Sequence, residues 1–142
     1  MKKVRDIMST DLSVCQTNSS LYDAANMMKQ QGVGAIPICD GNGQIMGMVT
    51  DRDLAVRGYA GHSPDSTPVQ QVMSDKVYNI SPEASLEEAS QMMAEHQVRR
   101  LPVVENGKLT GIISLGDLST EEKSDQAAGV ALQEISERPE LH

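Results

Sequence analysis

The chain has 142 residues, with 12 basic against 20 acidic side chains and a formal charge of -8, so it holds one domain or two small fused ones. That balance denies duplex nucleic acid its basic footprint, and no apolar run approaches the roughly 20 residues that cross a bilayer. Phe and Trp are absent, which leaves Val, Ile, Leu, Ala and 9 methionines to build the core.

From the N-terminus, Met1 to Asp6 is polar and lacks a signal-peptide apolar stretch, so a cytoplasmic protein is expected. Leu12 to Gln16 mixes β-branched and polar residues and predicts a strand. Ser20-Leu21-Tyr22-Asp23 has the hydroxyl-x-x-acid spacing of a capping box, and Leu21, Ala24 and Met28 share one helical face that Gly32 would end. Ala35 to Cys39 and Gln44 to Thr50 flank Asp40-Gly41-Asn42-Gly43 as a hairpin, with Pro37 arguing for an edge strand. A last helix begins near Thr50, and the Gly, Pro and hydroxyl residues of 58–68 read as a linker.

The same order then repeats. At a spacing of 65, Met8-Ser9 recurs as Met73-Ser74, Ser20-Leu21 as Ser85-Leu86, Met27-Met28 as Met92-Met93, and Pro37 as Pro102. Shortening one turn to Glu105-Asn106-Gly107 changes the spacing to 64, after which Gly47, Asp53 and Leu54 match Gly111, Asp117 and Leu118. Val77 to Ser81 predicts a strand, Ser85 to Glu88 a capped helix bearing Leu86, Ala89 and Met93, and Arg100 to Val104 with Lys108 to Ser114 a hairpin. A repeat kept in step through its turns is a supersecondary unit used twice, and such units bury their apolar faces on each other. The expected organisation is repeat 1 over 1–57, linker 58–68, repeat 2 over 69–120, and an acidic C-terminal helix or tail over 121–142. Residues 119–142 carry six acids and two bases, with Ala128, Ala131, Leu132 and Ile135 as a modest apolar stripe.

Paired with this register, several phrases resemble the cystathionine-β-synthase (CBS) domain pair, or Bateman module. They are the openings Val4-Arg5-Asp6-Ile7-Met8 and Val69-Gln70-Gln71-Val72-Met73, the strand prolines Pro37 and Pro102, and the closings Gly47 to Leu54 and Gly111 to Leu118. The resemblance implies an α/β (α+β) fold of two tandem β-α-β-β-α repeats packed with pseudo-twofold symmetry. It also implies two clefts that take adenosine ligands such as AMP, ADP, ATP or S-adenosylmethionine, a regulatory role, and association into a homodimer.

By that resemblance, the first cleft sets Thr50, Arg52 and Asp53 opposite Lys76, Val77, Tyr78, Arg99 and Arg100. The second sets Ser114, Gly116 and Asp117 opposite Asp11, Leu12, Ser13, Gly34 and Ala35, with Arg100 reaching across its own strand. Asp53 and Asp117 would each head a helix, where a carboxylate can accept both hydroxyls of a ribose diol. Thr50 and Ser114 at the N-cap would add hydroxyls beside free backbone N–H groups. The alternative is that hydroxyl and acid only cap each other's backbone donors. Four basic groups and a ring suit a phosphorylated adenosine in the first cleft, while the second is leaner. Arg99 and Arg100 have their own alternative as strand-end charges paired with Glu95 or Glu105.

Cys15 and Cys39 fall at the repeat positions of Ile80 and Val104 and read as buried small hydrophobes; His62 and His96 lack metal-ligand company. No nucleophile with a base, Walker phrase or dinucleotide fingerprint is present, so a non-catalytic protein is expected. Output would pass through an unidentified target protein or self-association. The competing expectation is a ligand-free scaffold that binds a partner enzyme.

Overall fold

The structure, a computed structural model, describes residues 1–122. The expected C-terminal helix or tail, with Ala128, Ala131, Leu132 and Ile135, lies outside the described residues beyond residue 122. Elements run in the order α1 (Val4–Ile7), β1 (Cys15–Gln16), α2 (Leu21–Gln31), β2 (Ala35–Cys39), β3 (Ile45–Thr50) and α3 (Asp51–Asp53). A π-helical turn (Leu54–Tyr59) and a 3-10 turn (Val69–Gln71) lead to α4 (Leu86–His96), β4 (Arg100–Glu105) and β5 (Lys108–Ser114), followed by helix α5 over 115–122.

Local chemistry sets the helix ends. Ser20 Oγ accepts from the Asp23 N–H and the Asp23 carboxylate accepts from the Ser20 N–H, and Ser85 with Glu88 does the same in α4. Helix α2 stops at Gly32 in the left-handed conformation, with φ 68. The repeat-equivalent residue ending α4 is Gln97, at φ 54, which takes the same turn without the freedom of glycine.

Two sheets result, one ordered β1-β2-β3 and one containing β4-β5. Each hairpin has an irregularity at the same repeat position, between Ile38 and Cys39 and between Val103 and Val104. The predicted strand over Leu12 to Gln16 shrinks to Cys15–Gln16, and Val77 to Ser81 contributes only an isolated parallel bridge from Ile80 to Val103. Nor is β2 an edge strand: it lies between β1 and β3. Pro37 is tolerated there because the ladder with β1 begins just past it, at Cys15 opposite Ile38. In the second repeat the Pro102 carbonyl accepts from the Ile80 N–H at 3.0 Å, which asks nothing of the missing proline donor.

The cores do not follow chain order. Val69 and Val72 pack into the core of the first repeat with Leu21, Met28, Ile36 and Val49. Val4, by contrast, closes the core of the second with Ile80, Ala89, Met93, Leu101 and Ile113. Each opening segment has thus crossed to the other repeat. Backbone bonds fix the exchange: Val4 N–H donates to Ala84 O at 2.9 Å, Ser9 pairs with Ile112, and Ser74 pairs with Met48. Ile36, Ile38, Leu101 and Ile113 are almost wholly buried, each side chain contributing about 2 kcal/mol on transfer from water. The hairpin tips also meet, Ile45 N–H donating to Gly107 O at 3.2 Å and Leu109 N–H to Gly43 O at 3.1 Å. A pseudo-twofold axis passes between the two units, and their facing ends shape the space described next.

Candidate functional site

Both expected helix starts are formed. Thr50 Oγ1 accepts from the Asp53 N–H at 3.0 Å, and Asp53 Oδ2 accepts from the Thr50 N–H at 2.9 Å. Ser114 and Asp117 repeat the arrangement at 3.0 and 2.9 Å. Hydroxyl and acid therefore do cap each other's backbone donors, but this takes only one oxygen of each carboxylate. Among the described residues no hydrogen bond reaches Asp53 Oδ1 or Asp117 Oδ1.

A cavity of about 1020 Å³ lies between the repeats. From the expected first cleft it is lined by Thr50, Arg52, Lys76, Tyr78, Arg99 and Arg100, and from the second by Gly34, Ala35, Ser114 and Gly116. Asp53 and Val77 do not line it, nor do Asp11, Leu12, Ser13 and Asp117. The space is thus mainly the first cleft, continued along the inner wall of the second. Sequence reasoning missed four polar residues on its lining: Asp51, Ser74, Gln97 and Ser119. Asp51 stood inside the Gly47 to Leu54 phrase and could have been found there. Ser74 and Gln97 became visible only once the crossing of the opening segment and the end of α4 were known.

Positive charge dominates the lining. The side chains of Arg52, Lys76 and Arg99 make no hydrogen bond or ion pair with any described residue. Asp51 is the acid among them; its Oδ1 accepts from the Arg52 N–H at 2.8 Å, and its Oδ2 lies against Gly34, where a Cβ would come within 3.0 Å. Neither Arg99 nor Arg100 pairs with Glu95 or Glu105 among the described residues, and Glu95 instead stands 3.7 Å from His96. The Arg100 guanidinium donates to Ala35 O at 3.2 Å. Burial lowers the Arg100 pKa, and the charge of Asp117 works in the opposite direction.

Tyr78 is not a free platform. Its ring stacks on His96 with centroids 3.7 Å apart and 12° between planes, so one face is already covered. Cys15 and Cys39 are free thiols buried as expected, and burial raises the pKa of both. Among the described residues, no group of three or more His, Cys, Asp or Glu side chains could hold a metal ion. In the same residues no helix is long and apolar enough to cross a membrane.

Twin units with exchanged opening segments and a cation-lined space between them define a tandem-repeat module with an inter-repeat site. The family model for the CBS domain matches residues 4–57 and 69–123, and the chain belongs to that family. It is 46% identical over 136 residues to the CBS domain-containing protein YhcV of Bacillus subtilis, covering 96% of both chains. The crystal structure of Hypoxic Response Protein I with two coordinated zinc ions is similar at a TM-score of 0.78 and 32% identity, over 84% of this chain and 98% of that one. The structure of CBSX2 in complex with AMP is similar at a TM-score of 0.78 and 26% identity, over 89% of this chain and 99% of that one.

Proposed function

We propose that the chain is a regulatory sensor that binds a phosphorylated adenosine in the cavity between its repeats. The observation that carries this reading is a set of three cations, Arg52, Lys76 and Arg99, that line one cavity and are unpartnered among the described residues, in an otherwise acidic chain. With Asp51 the one acid among the described lining residues against Arg52, Lys76, Arg99 and Arg100, like charges repel, and a bound anion relieves that cost while forming charge-assisted hydrogen bonds. Asp53 does not itself line the cavity, but it caps the lining residue Thr50 and keeps Oδ1 unbonded among the described residues, an acceptor for a ribose hydroxyl that reaches past Thr50. AMP in the CBSX2 complex supports the adenosine part of the reading. The cationic lining weighs toward AMP, ADP or ATP over S-adenosylmethionine, whose sulfonium is itself positive.

In this reading the protein carries out no catalysis and works as a cytoplasmic homodimer. Occupancy alters the angle between the repeats or the dimer surface seen by a target protein, to the extent that the ligand prefers one geometry. The test is a melting screen against AMP, ADP, ATP, S-adenosylmethionine and NADH. Adenine nucleotides are expected to raise the melting temperature, and replacing Arg52, Lys76 and Arg99 with Gln together to abolish the rise. A rise of the same size in that triple variant overturns the reading.

A ligand-free scaffold is favoured by a different observation. Tyr22 on α2 and Val56 and Tyr59 on the π-helical turn are exposed at 60%, 48% and 86%, large side chains left in water that a partner could cover. That reading predicts no melting shift with any adenosine compound and a stable complex in pull-down.

A further inference from the structure

Arg100 and Ala35 hold the same position in the two repeats, so the pseudo-twofold axis relates a guanidinium to a methyl group. From the start of β4 the Arg100 side chain reaches back into the first repeat and donates to Ala35 O at 3.2 Å. The acid whose charge acts on it is Asp117. By the family resemblance Ala35 and Asp117 belong to opposing sides of the second cleft; Ala35 lines the cavity, and Asp117 caps Ser114, which lines it too. In the first cleft the equivalent side chain is Ala35 itself, so Asp53 faces no arginine from that position.

We propose that Arg100 is an internal occupant of the second cleft, bridging Ala35 toward Asp117, and that it limits the chain to one nucleotide, held at the Thr50–Asp53 end. The inference rests on the nucleotide reading given above.

The energetic asymmetry has a clear source. A nucleoside entering the second cleft has to displace a partly buried guanidinium from a carbonyl and from the field of a carboxylate. It would offer Asp117 neutral hydroxyls in exchange for a cation, while the displaced guanidinium loses partners for which it has already given up water. In the first cleft, Arg52, Lys76 and Arg99 are exposed and unpartnered among the described residues, so an anion binds there without breaking any contact.

Isothermal titration of the full chain with ATP decides the matter. The wild type is expected to bind one ATP per chain, and Asp53→Ala to weaken that site at least tenfold. Arg100→Gln is expected to bind two, and adding Asp117→Ala to Arg100→Gln to return the count to one. Two sites in the wild type, a single site in Arg100→Gln, or undiminished binding in Asp53→Ala each overturn the proposal while leaving nucleotide binding intact. Should Arg100→Gln fail to fold, the wild-type count and Asp53→Ala still decide. No heat with ATP in the wild type, and none with AMP or ADP, overturns the nucleotide reading and this inference with it.

Discussion

A Cβ on Gly47 would stand 2.6 Å from the carbonyl oxygen of Ser74. The equivalent Gly111 receives Met8 and Ser9 just as closely, with the Met8 sulfur at 2.5 Å and Ser9 O at 3.0 Å from the same added atom. The closing phrase of each repeat carries glycine because the opening segment of the other repeat pairs across it. Gly47→Ala is therefore expected to destabilise the fold by about 1 to 3 kcal/mol, since a backbone carbonyl must move. Gly111→Ala should cost less, because the Met8 side chain can swing aside. Urea unfolding of the two variants checks both the sign and the order.

Gln97 ends α4 in the left-handed region at φ 54, where its twin in the first repeat is Gly32. Gln97→Gly is expected to stabilise the protein by up to about 1 kcal/mol by removing the Cβ strain of that conformation. The reverse exchange, Gly32→Gln, should destabilise by a similar amount. Thermal melts of the two variants read the difference.

Cys15 and Cys39 are buried, with thiol pKa values pushed up mainly by loss of water. Neither should react with a thiol reagent in the folded protein at neutral pH, and both should react once the chain is unfolded in denaturant. Fast labelling of a native thiol would contradict this.

Glu83 accepts from Lys3 Nζ at 2.8 Å and pairs with Arg5, tying the first opening segment to the second repeat. The hydrogen bond from Lys3 is the largest cause, followed by that from Arg5, holding its carboxyl below the usual carboxylate range. A depressed folded-state value makes the contribution present above the unfolded pKa of about 4.3 and lost as pH falls through the folded value. Glu83→Gln should thus be slightly less stable than wild type at pH 7, with the gap closing as acid titration proceeds below about pH 4. Urea midpoints across that range measure it.

Much of the local structure was legible because its causes are local. Ser20 with Asp23, Ser85 with Glu88, Thr50 with Asp53 and Ser114 with Asp117 announce helix starts by spacing alone, and all four reciprocal caps form. Strand length was less visible. Leu12 to Gln16 has strand-like side chains, but how far it pairs is set by its neighbour, and the ladder begins only past Pro37. The exchange of opening segments was hidden for a related reason, since nothing within Val4 to Met8 says whether its apolar side chains go to their own repeat or the other. In the site, the cations Arg52, Lys76 and Arg99 were reached through the family resemblance, since nothing in their local sequence separates them from plain surface charges, and all three line the cavity. The turn of Arg100 toward Ala35 and the cover of His96 over Tyr78 depend on packing between units that lie far apart in the chain.

The proposed nucleotide site has an acid at the head of a repeat's last helix, Asp53 or Asp117, grip the sugar from behind its cavity-lining cap residue, Thr50 or Ser114. Melting the wild type and an Asp53→Ala, Asp117→Ala double variant with and without saturating ATP tests it whichever cleft fills. At a ligand concentration of about one hundred times Kd the wild type should gain about 2.7 kcal/mol, seen as a rise of several degrees. The account predicts that the double variant, still folded, shows no rise; an undiminished rise would contradict it.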